Sequence, residues 1–291
     1  MFPKVPDQHK PNKPLIPNGF GVFYVLISAT YLFLAYYLDL IKTSNGVSAP
    51  LTLAVCILFG GFMGLLDDWI DLKWRYKAFL PLVAAIPLLS LASRLGLRTS
   101  ISIPMLGTID FGIYYYFLII PLFVTIFTNT VNQLGGFNGL ETVCPAIVMI
   151  GLIAVSGSNA IMLYGPLAVW LVLAFFNFKG RIFVGNTGSF SIGMTLAAFA
   201  TISDLKLDLA ISLLPYILNS ALILLTFFFF RTKANVTFDG KKLSSDHRRS
   251  LVTLITYRRP LNERQVVLAI SLLVAASTLV ALLIQIGGSS L

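Results

Sequence analysis

The chain has 291 residues, of which 57% are hydrophobic and only 11% are charged, and its mean hydropathy is +0.85. A soluble domain carries about a quarter charged residues, so this composition excludes a water-soluble protein and predicts an integral membrane protein. The net charge is +9, but the cations fall in loops between apolar stretches and form no nucleic-acid module, so no nucleic-acid partner is expected.

The apolar stretches predict nine membrane-spanning helices, because most are long enough to cross a hydrocarbon layer about 30 Å thick. They lack the alternating pattern of a transmembrane barrel, so helices must satisfy the backbone hydrogen bonds. We therefore predict an all-α, polytopic transmembrane helix bundle in which residues 1–291 form a single integral membrane domain. The predicted spans are about 20–41, 50–66, 78–94, 110–128, 142–157, 160–177, 187–203, 208–230 and 265–286.

The lysines and arginines predict the orientation of this bundle. With nine alternating spans, all but four of the 21 cations fall on the N-terminal side, the four being Lys42, Arg94, Arg98 and Lys206. The positive-inside rule then places the N-terminus in the cytoplasm. Residues 231–264 form a long basic cytoplasmic loop, which we expect to lie over the active site. The positive charge either reflects the membrane topology alone or also attracts anionic lipid or a phosphate-bearing substrate.

Four polar stretches interrupt the apolar chain on this cytoplasmic side, and the first covers residues 64–77. Asp67 and Asp68 lie where the second span meets water, and two adjacent carboxylates there are costly unless they face a wet cavity or a cation. Such a pair can hold a metal or take a proton. The alternative is a solvated helix end with ion pairs to Lys73 and Lys77.

The second stretch, 129–141, places Asn129, Asn132 and Asn138 around a Gly-Gly pair. Glycines let a ligand approach the backbone closely, asparagine carbonyls suit magnesium, and amides can read the edge of a base. The alternative is an amide-rich helix break that satisfies its own backbone. Glu141 could be no more than a carboxylate at the start of a helix.

The third stretch, 179–189, opens a span with small residues whose free N–H groups favour a phosphate. An ordinary helix start capped by Thr187 or Ser189 is the alternative. The fourth stretch contains His247 and Arg248, which suit phosphate or sugar contacts, although a solvated basic loop is equally compatible. Together the four stretches predict metal-assisted phosphoryl transfer to a substrate that comes from the lipid.

The order of these motifs resembles that of the polyprenyl-phosphate N-acetylhexosamine-1-phosphate transferases, and most of all their eukaryotic and archaeal dolichyl-phosphate N-acetylglucosaminephosphotransferase branch. The resemblance extends from about residue 7 to 249. It is carried by Asp67–Lys77 with Leu80-Pro81, by Asn129 and Asn132 with Asn138-Gly-Leu-Glu141, and by Arg181-x-Phe-Val-Gly-x-Thr187.

The resemblance implies that a polyprenyl (dolichyl) phosphate attacks the sugar-linked phosphorus of a UDP-N-acetylhexosamine, expected to be UDP-GlcNAc, and that UMP leaves. This would be the first membrane step of lipid-linked glycan assembly for protein N-glycosylation. The implied cofactor is Mg²⁺, with Mn²⁺ as an alternative. The implied location is an archaeal-type cell membrane with a cytoplasmic active site, or the endoplasmic reticulum membrane of a eukaryote. The sequence does not decide whether the protein forms a homodimer.

The resemblance also implies roles for individual residues. Asp67, Asp68 and Lys77 would be catalytic, and Asn132 and Asn186 would bind the metal. Asn138 would read uracil while Phe183 stacks on it, and His247 and Arg248 would touch the sugar or diphosphate. The remaining residues expected to contact substrate are Asn129, Glu141 and Arg181.

The sequence departs from the family pattern in three places. Asn186 stands where the family has a metal-binding aspartate, so weaker metal binding is expected. Asp246 replaces a basic residue of the family. Nine spans are expected where the family has ten, because residues 7–17 look like the loop that follows the family's first span. Because Asn186 replaces the aspartate, a second function is also considered: a non-catalytic or transport membrane protein that binds a nucleotide sugar or lipid phosphate.

Overall fold

The computed structural model describes residues 2–41, 46–96, 98–103, 107–232 and 234–288, so the predicted loop cations Lys42 and Lys233 lie outside the described residues. The chain is mainly helical. Its α-helices are α1 (Gly21–Tyr37), α2 (Ala49–Ile70), α3 (Trp74–Ala84), α4 (Ile86–Leu95), α5 (Ile120–Gln133), α6 (Leu140–Val155), α7 (Ile161–Phe178), α8 (Gly185–Ile202), α9 (Lys206–Ser212), α10 (Leu214–Leu225), α11 (Leu251–Ile255) and α12 (Glu263–Gly288).

Several of these helices are preceded or followed by a turn of a different helical type. A 3₁₀ turn, Gly157–Ala160, leads into α7, and a π-helical turn, Tyr115–Ile119, leads into α5. Another π-helical turn, Thr226–Phe230, follows α10. The break between α3 and α4 coincides with Pro87 in the first turn of α4, as expected for a residue that cannot donate a backbone hydrogen bond.

Each predicted span overlaps at least one of these helices, which confirms the helical membrane class. Within the described residues, five helical segments are long and apolar enough to cross a membrane, and a sixth is added if α9 and α10, bent by 65°, count together. Helices α1 and α6 are apolar but shorter, so the number nine stays a prediction. The five long segments are Ala49–Ile70, Trp74–Arg94, Tyr115–Gln133, Gly157–Phe178 and Glu263–Gly287.

The fourth predicted span is displaced along the chain. Asp110, where the predicted span begins, is the last residue of a strand, and the continuous helix runs from Tyr115 to Gln133. Asn129 and Asn132 therefore lie in the last turns of α5, where sequence reasoning placed them in a loop.

In the described part of the chain, three small antiparallel hairpins, which the all-α prediction omitted, occur outside the helices. They pair β1 (Lys4–Pro6) with β2 (Leu15–Pro17), β3 (Ser100–Ile103) with β4 (Gly107–Asp110), and β5 (Thr237–Phe238) with β6 (Leu243–Ser244). Their strands have two to four residues, too few to show a clear alternation of polar and apolar side chains.

Helix α8 lies at the centre of the bundle, with every residue from Thr187 to Ile202 buried. It packs closely on its neighbours because glycines face it. A Cβ atom at Gly64 of α2 would lie 2.2 Å from the Asn186 carbonyl oxygen, and one at Gly21 of α1 would lie 2.1 Å from the Gly188 nitrogen. Such close approach is typical of small residues at membrane helix interfaces. It brings the last turn of α2 against the first turn of α8.

Candidate functional site

The Asp68 carboxylate caps the N-terminus of α8. Its Oδ1 accepts a hydrogen bond from the Asn186 backbone N–H at 2.9 Å. Its Oδ2 accepts from the Thr187 N–H at 2.9 Å and from the Thr187 hydroxyl at 2.8 Å. A carboxylate in this position satisfies backbone donors that have no partner within the helix and interacts favourably with the helix dipole.

These contacts correct two expectations about this helix start. The sequence suggested capping by Thr187 or Ser189, but the residue before the helix, Val184, makes no side-chain cap, and the capping group comes from α2. The sequence also suggested that the free N–H groups would receive a phosphate. In the structure the N–H groups of Asn186 and Thr187 already donate to the protein's own anion, Asp68.

Asp67 has a different environment, because its side chain is fully buried. Its Oδ1 lies 2.8 Å from the Lys77 ammonium and accepts from the Leu72 N–H at 3.0 Å. Among the described residues its Oδ2 has no hydrogen-bond partner, although it is also buried. A buried carboxylate oxygen without a partner is costly, and a proton, a cation or a substrate group would satisfy it.

Ser189 connects the two asparagines that were predicted to bind metal. Its hydroxyl donates to the Asn132 Oδ1 and lies 3.3 Å from the Asn186 carbonyl oxygen. Because the Asn186 N–H donates to Asp68, one chain of hydrogen bonds links α5, α8 and α2. The helices that carry Asp67, Asp68, Asn132 and Asn186 therefore meet here, and the convergence of the four side chains around one ion stays a prediction.

A cavity of about 440 Å³ adjoins this centre. Lys77, Asn129 and Asn132 contribute polar groups to its wall, and the Asn129 amide donates to the Thr125 carbonyl of its own helix at 2.9 Å. Much of the remaining wall is apolar, including Trp74, Ile126, Ile223, Leu224, Phe227 and Phe228. The cavity thus joins ionic groups to a surface suited to a hydrocarbon chain.

Asn138 lies on a second side of the site and is buried, with 5% of its surface exposed. Its side-chain amide donates to Asp7 Oδ2 at 2.7 Å and to Glu263 Oε1 at 3.0 Å. Glu263 also pairs with Lys10. The segment before α1 is thereby fixed to the loop before α6 and to the start of α12.

His9 belongs to the same segment and stacks on Phe137, with ring centroids 4.3 Å apart. Burial lowers the pKa of His9 below its usual value, and the nearby carboxylates of Glu263 and Asp7 oppose that change without reversing it. An imidazole with a lowered pKa is neutral at pH 7, which suits its stacking on an aromatic ring.

Asn177, which sequence reasoning missed, joins two loops of the site. Its Oδ1 accepts from the Gly139 N–H at 2.8 Å and from the Thr142 hydroxyl at 3.0 Å, and its Nδ2 donates to the Ile182 carbonyl at 2.9 Å. The Asn138 loop and the Phe183 loop are therefore held together. A lone amide in the apolar run 170–178 was the available signal, because buried amides need partners.

The other predicted substrate residues take varied positions. Glu141 lies in the first turn of α6, and Arg181 is exposed. Phe183 is partly buried, and its backbone N–H donates to the Pro17 carbonyl at 2.8 Å, which again involves the segment before α1. The structure thus brings Phe183 beside that segment.

His247 and Arg248 make contacts within their own loop. The His247 Nδ1 lies 3.4 Å from the Ser245 hydroxyl, and the Arg248 guanidinium lies 4.2 Å from the centre of the Tyr257 ring. Among the described residues no hydrogen bond or ion pair joins either side chain to α2 or α8. The structure therefore does not bring them into contact with the carboxylates, and the placement of this loop over the site stays a prediction.

The donors at the site fit a magnesium-type ion. Within the described ranges no group of three or more His, Cys, Asp and Glu side chains could hold a metal, so an ion bound here would need other oxygen ligands such as amides. The Asn132 amide oxygen and the Asn186 backbone carbonyl both lie beside Ser189, and Asp67 Oδ2 is a buried oxygen without a partner among the described residues. Carboxylate and amide oxygens are the hard ligands that Mg²⁺ takes in proteins.

Residues 50–204 match the sequence profile of glycosyl transferase family 4. The helical membrane fold, the carboxylate pair and this match define the class, and the chain belongs to that family. It is 30% identical to a Saccharolobus solfataricus protein over 290 residues, covering 96% of this chain and 87% of the relative. That relative carries the provisional name UDP-N-acetylglucosamine–dolichyl-phosphate N-acetylglucosaminephosphotransferase.

Two further relatives widen this comparison. The UDP-N-acetylglucosamine–dolichyl-phosphate N-acetylglucosaminephosphotransferase of Saccharomyces cerevisiae is 26% identical over 265 residues, which are 73% of this chain and 58% of the yeast protein. The phospho-N-acetylmuramoyl-pentapeptide-transferase of Bacillus cytotoxicus is 29% identical over 250 residues, covering 80% of this chain and 75% of the relative. The family resemblance drawn from the motifs is confirmed, and these names give no support to a transport or purely binding role.

Proposed function

We propose that this protein transfers N-acetylglucosamine 1-phosphate from UDP-GlcNAc to a polyprenyl phosphate of the dolichyl type and releases UMP. The reaction would be the first membrane step of lipid-linked glycan assembly for protein N-glycosylation. One observation carries the proposal: Lys77 and Asn132 line a largely apolar cavity and also bond to Asp67 and Ser189 of the polar centre. A lipid tail and a phosphate could therefore be held at one place.

In the proposed reaction, an oxygen of the lipid phosphate attacks the sugar-linked phosphorus of UDP-GlcNAc. A new P–O bond forms the lipid diphosphate, and the bond from that phosphorus to the bridging oxygen breaks. UMP departs with the bridging oxygen and its electron pair. Such transfers depend mainly on the alignment of the two phosphates and on neutralisation of their charge.

On the lipid side, Lys77 would neutralise the attacking phosphate, and Asp67 would hold that lysine in place. Asp67 Oδ2, which is buried and without a partner among the described residues, would accept the phosphate proton if the lipid binds in its monoprotonated form. Asp68 would act differently, by fixing the first turn of α8 and so the position of Asn186. Asn129 would contact the lipid phosphate from the cavity wall.

On the nucleotide side, Asn138 would read the uracil edge and Phe183 would stack on its face, because Asn177 holds their two loops together. Glu141 and Arg181 would contact the ribose and diphosphate. His247 and Arg248 would reach the sugar or diphosphate from the 231–264 loop. Arginine and histidine suit these anionic groups.

Asn132 and Asn186 would hold Mg²⁺, or Mn²⁺ in its place. When bound, the ion would neutralise charge on the diphosphate of the donor. Ser189 would keep the Asn132 oxygen directed toward Asn186 through its hydrogen bond. The site would face the cytoplasm, in an archaeal-type cell membrane or the endoplasmic reticulum, and a homodimer is compatible with it.

The test is release of UMP by purified protein given UDP-GlcNAc, dolichyl phosphate and magnesium in detergent or liposomes. A panel containing UDP-GalNAc and UDP-glucose would establish the sugar, and omission of the lipid is the control. Folded protein that releases no UMP from any of these donors, with either saturated or unsaturated polyprenyl phosphates, would contradict the proposal.

A further inference from the structure

Asn138 is held by two carboxylates that the proposed reaction does not use. We propose that Asp7 and Glu263 are positioning residues that fix the Asn138 amide with its carbonyl oxygen toward the nucleobase, and thereby select uracil over cytosine. This inference rests on the proposed function, since the base belongs to a UDP-linked donor. It adds the segment before α1 and the start of α12 to the elements that determine substrate choice.

The orientation of the amide follows from the chemistry of its partners. Ionised carboxylates only accept hydrogen bonds, so Asp7 and Glu263 must face the Asn138 nitrogen, at 2.7 and 3.0 Å. The Asn138 backbone N–H also donates to Glu263 Oε1, at 2.8 Å. Lys10 pairs with the other Glu263 oxygen and so holds that side chain in place. Rotating the amide would turn its carbonyl oxygen onto two anions.

The same arrangement leaves the Asn138 carbonyl oxygen without a hydrogen-bond partner among the described residues, although the atom is buried. The amide lies beside Gly180, where an added Cβ atom would lie 3.5 Å from this oxygen. Gly180 has a φ of +65° and belongs to the loop that continues to Phe183. The unpaired acceptor therefore lies next to the loop on which the base is proposed to stack.

A fixed acceptor at this position distinguishes the two pyrimidines. Uracil presents an N–H donor at N3, whereas cytosine presents an acceptor there, so a carbonyl oxygen matches uracil and opposes cytosine. A freely rotating amide could turn its NH₂ group toward cytosine and would lose this preference. Selection thus depends on the two carboxylates that prevent the rotation.

Asp7→Asn and Glu263→Gln test this inference, because each keeps the size of the side chain but can donate as well as accept. Equilibrium binding of UMP and CMP is measured for wild type and for each variant. We expect the UMP preference to fall by about tenfold in each variant, in line with the effect of one misdirected buried hydrogen bond. KM for UDP-GlcNAc should rise with a smaller change in kcat.

Asp110→Asn is the matched control, since this exposed carboxylate also accepts a backbone N–H, at 3.0 Å from Gly112, and lies beyond the far end of the Tyr115–Gln133 helix. It should keep the wild-type preference. The two test residues lie on separate elements, and binding is measured below the melting temperature of each variant. If the folded variants kept the wild-type ratio of UMP affinity to CMP affinity, this inference would be overturned, but the proposed function would stand. Failure of the wild type to bind UMP would overturn the proposed function as well.

Discussion

Asp67 and Asp68 are neighbours in sequence, yet the structure gives them opposite environments. Asp67 is buried, pairs with Lys77, and has one oxygen without a partner among the described residues. Asp68 is exposed, but both of its oxygens accept hydrogen bonds from the start of α8. Under the proposed function, the buried carboxylate would take part in the chemistry and the exposed one would hold the start of α8 in place.

Substitution of the buried carboxylate should have the largest effect. Asp67→Asn removes the proton acceptor and the partner of Lys77, so we expect kcat for UMP release to fall by about 10²- to 10⁴-fold. The lysine is partly exposed and can turn toward water, so the variant should still fold, as measured by thermal unfolding. A folded Asp67→Asn variant with the wild-type rate would remove this residue from the mechanism.

Asn186→Asp adds a negative charge beside Asp68 and tests whether Asn186 binds the metal. If Asn186 is a metal ligand, we expect the magnesium concentration for half-maximal rate to fall by about tenfold, because a carboxylate binds Mg²⁺ more strongly than an amide does. Asn235→Asp, in the exposed part of the basic loop, adds the same charge elsewhere and is the control. An unchanged or higher magnesium requirement in Asn186→Asp alone would exclude Asn186 from the metal site.

Asp68→Asn should chiefly reduce stability. An amide cannot accept at both of its ends, so at least one N–H of α8 loses its partner. We expect the free energy of unfolding to fall by about 1 kcal/mol, a value typical of a lost helix cap and modest because Asp68 is exposed. Any loss of rate should accompany a displaced α8. A full loss of turnover without any change in melting temperature would reverse the roles assigned to the two carboxylates.

Thr187→Val is the smallest of these changes. It removes only the hydroxyl that donates to Asp68 at 2.8 Å and keeps the backbone N–H contacts. We expect a loss of about 0.5 kcal/mol in the free energy of unfolding and nearly normal turnover, as is usual for one partly exposed hydrogen bond. Melting curves and UMP release measured on the same preparation provide the check.

The sequence predicted the helices well because long apolar runs have few other structures available in a membrane. It also identified the polar stretches that meet at the site, since carboxylates and amides are rare between such runs. It could not predict that Asp68 caps α8, because that contact joins residues distant in sequence and depends on the packing of Gly64 against Asn186. The partners of Asn138 were missed for the same reason, since Asp7 and Glu263 come from opposite ends of the chain.

The cavity lined by Trp74, Phe227 and Phe228 has a consequence for kinetics under the proposed function. An acceptor that enters through an apolar opening arrives by lateral diffusion and need not leave the bilayer. Its effective concentration is then its mole fraction in the surrounding lipid. Diluting the acceptor with inert phospholipid should slow the reaction even when the amounts of protein and acceptor in the tube stay constant.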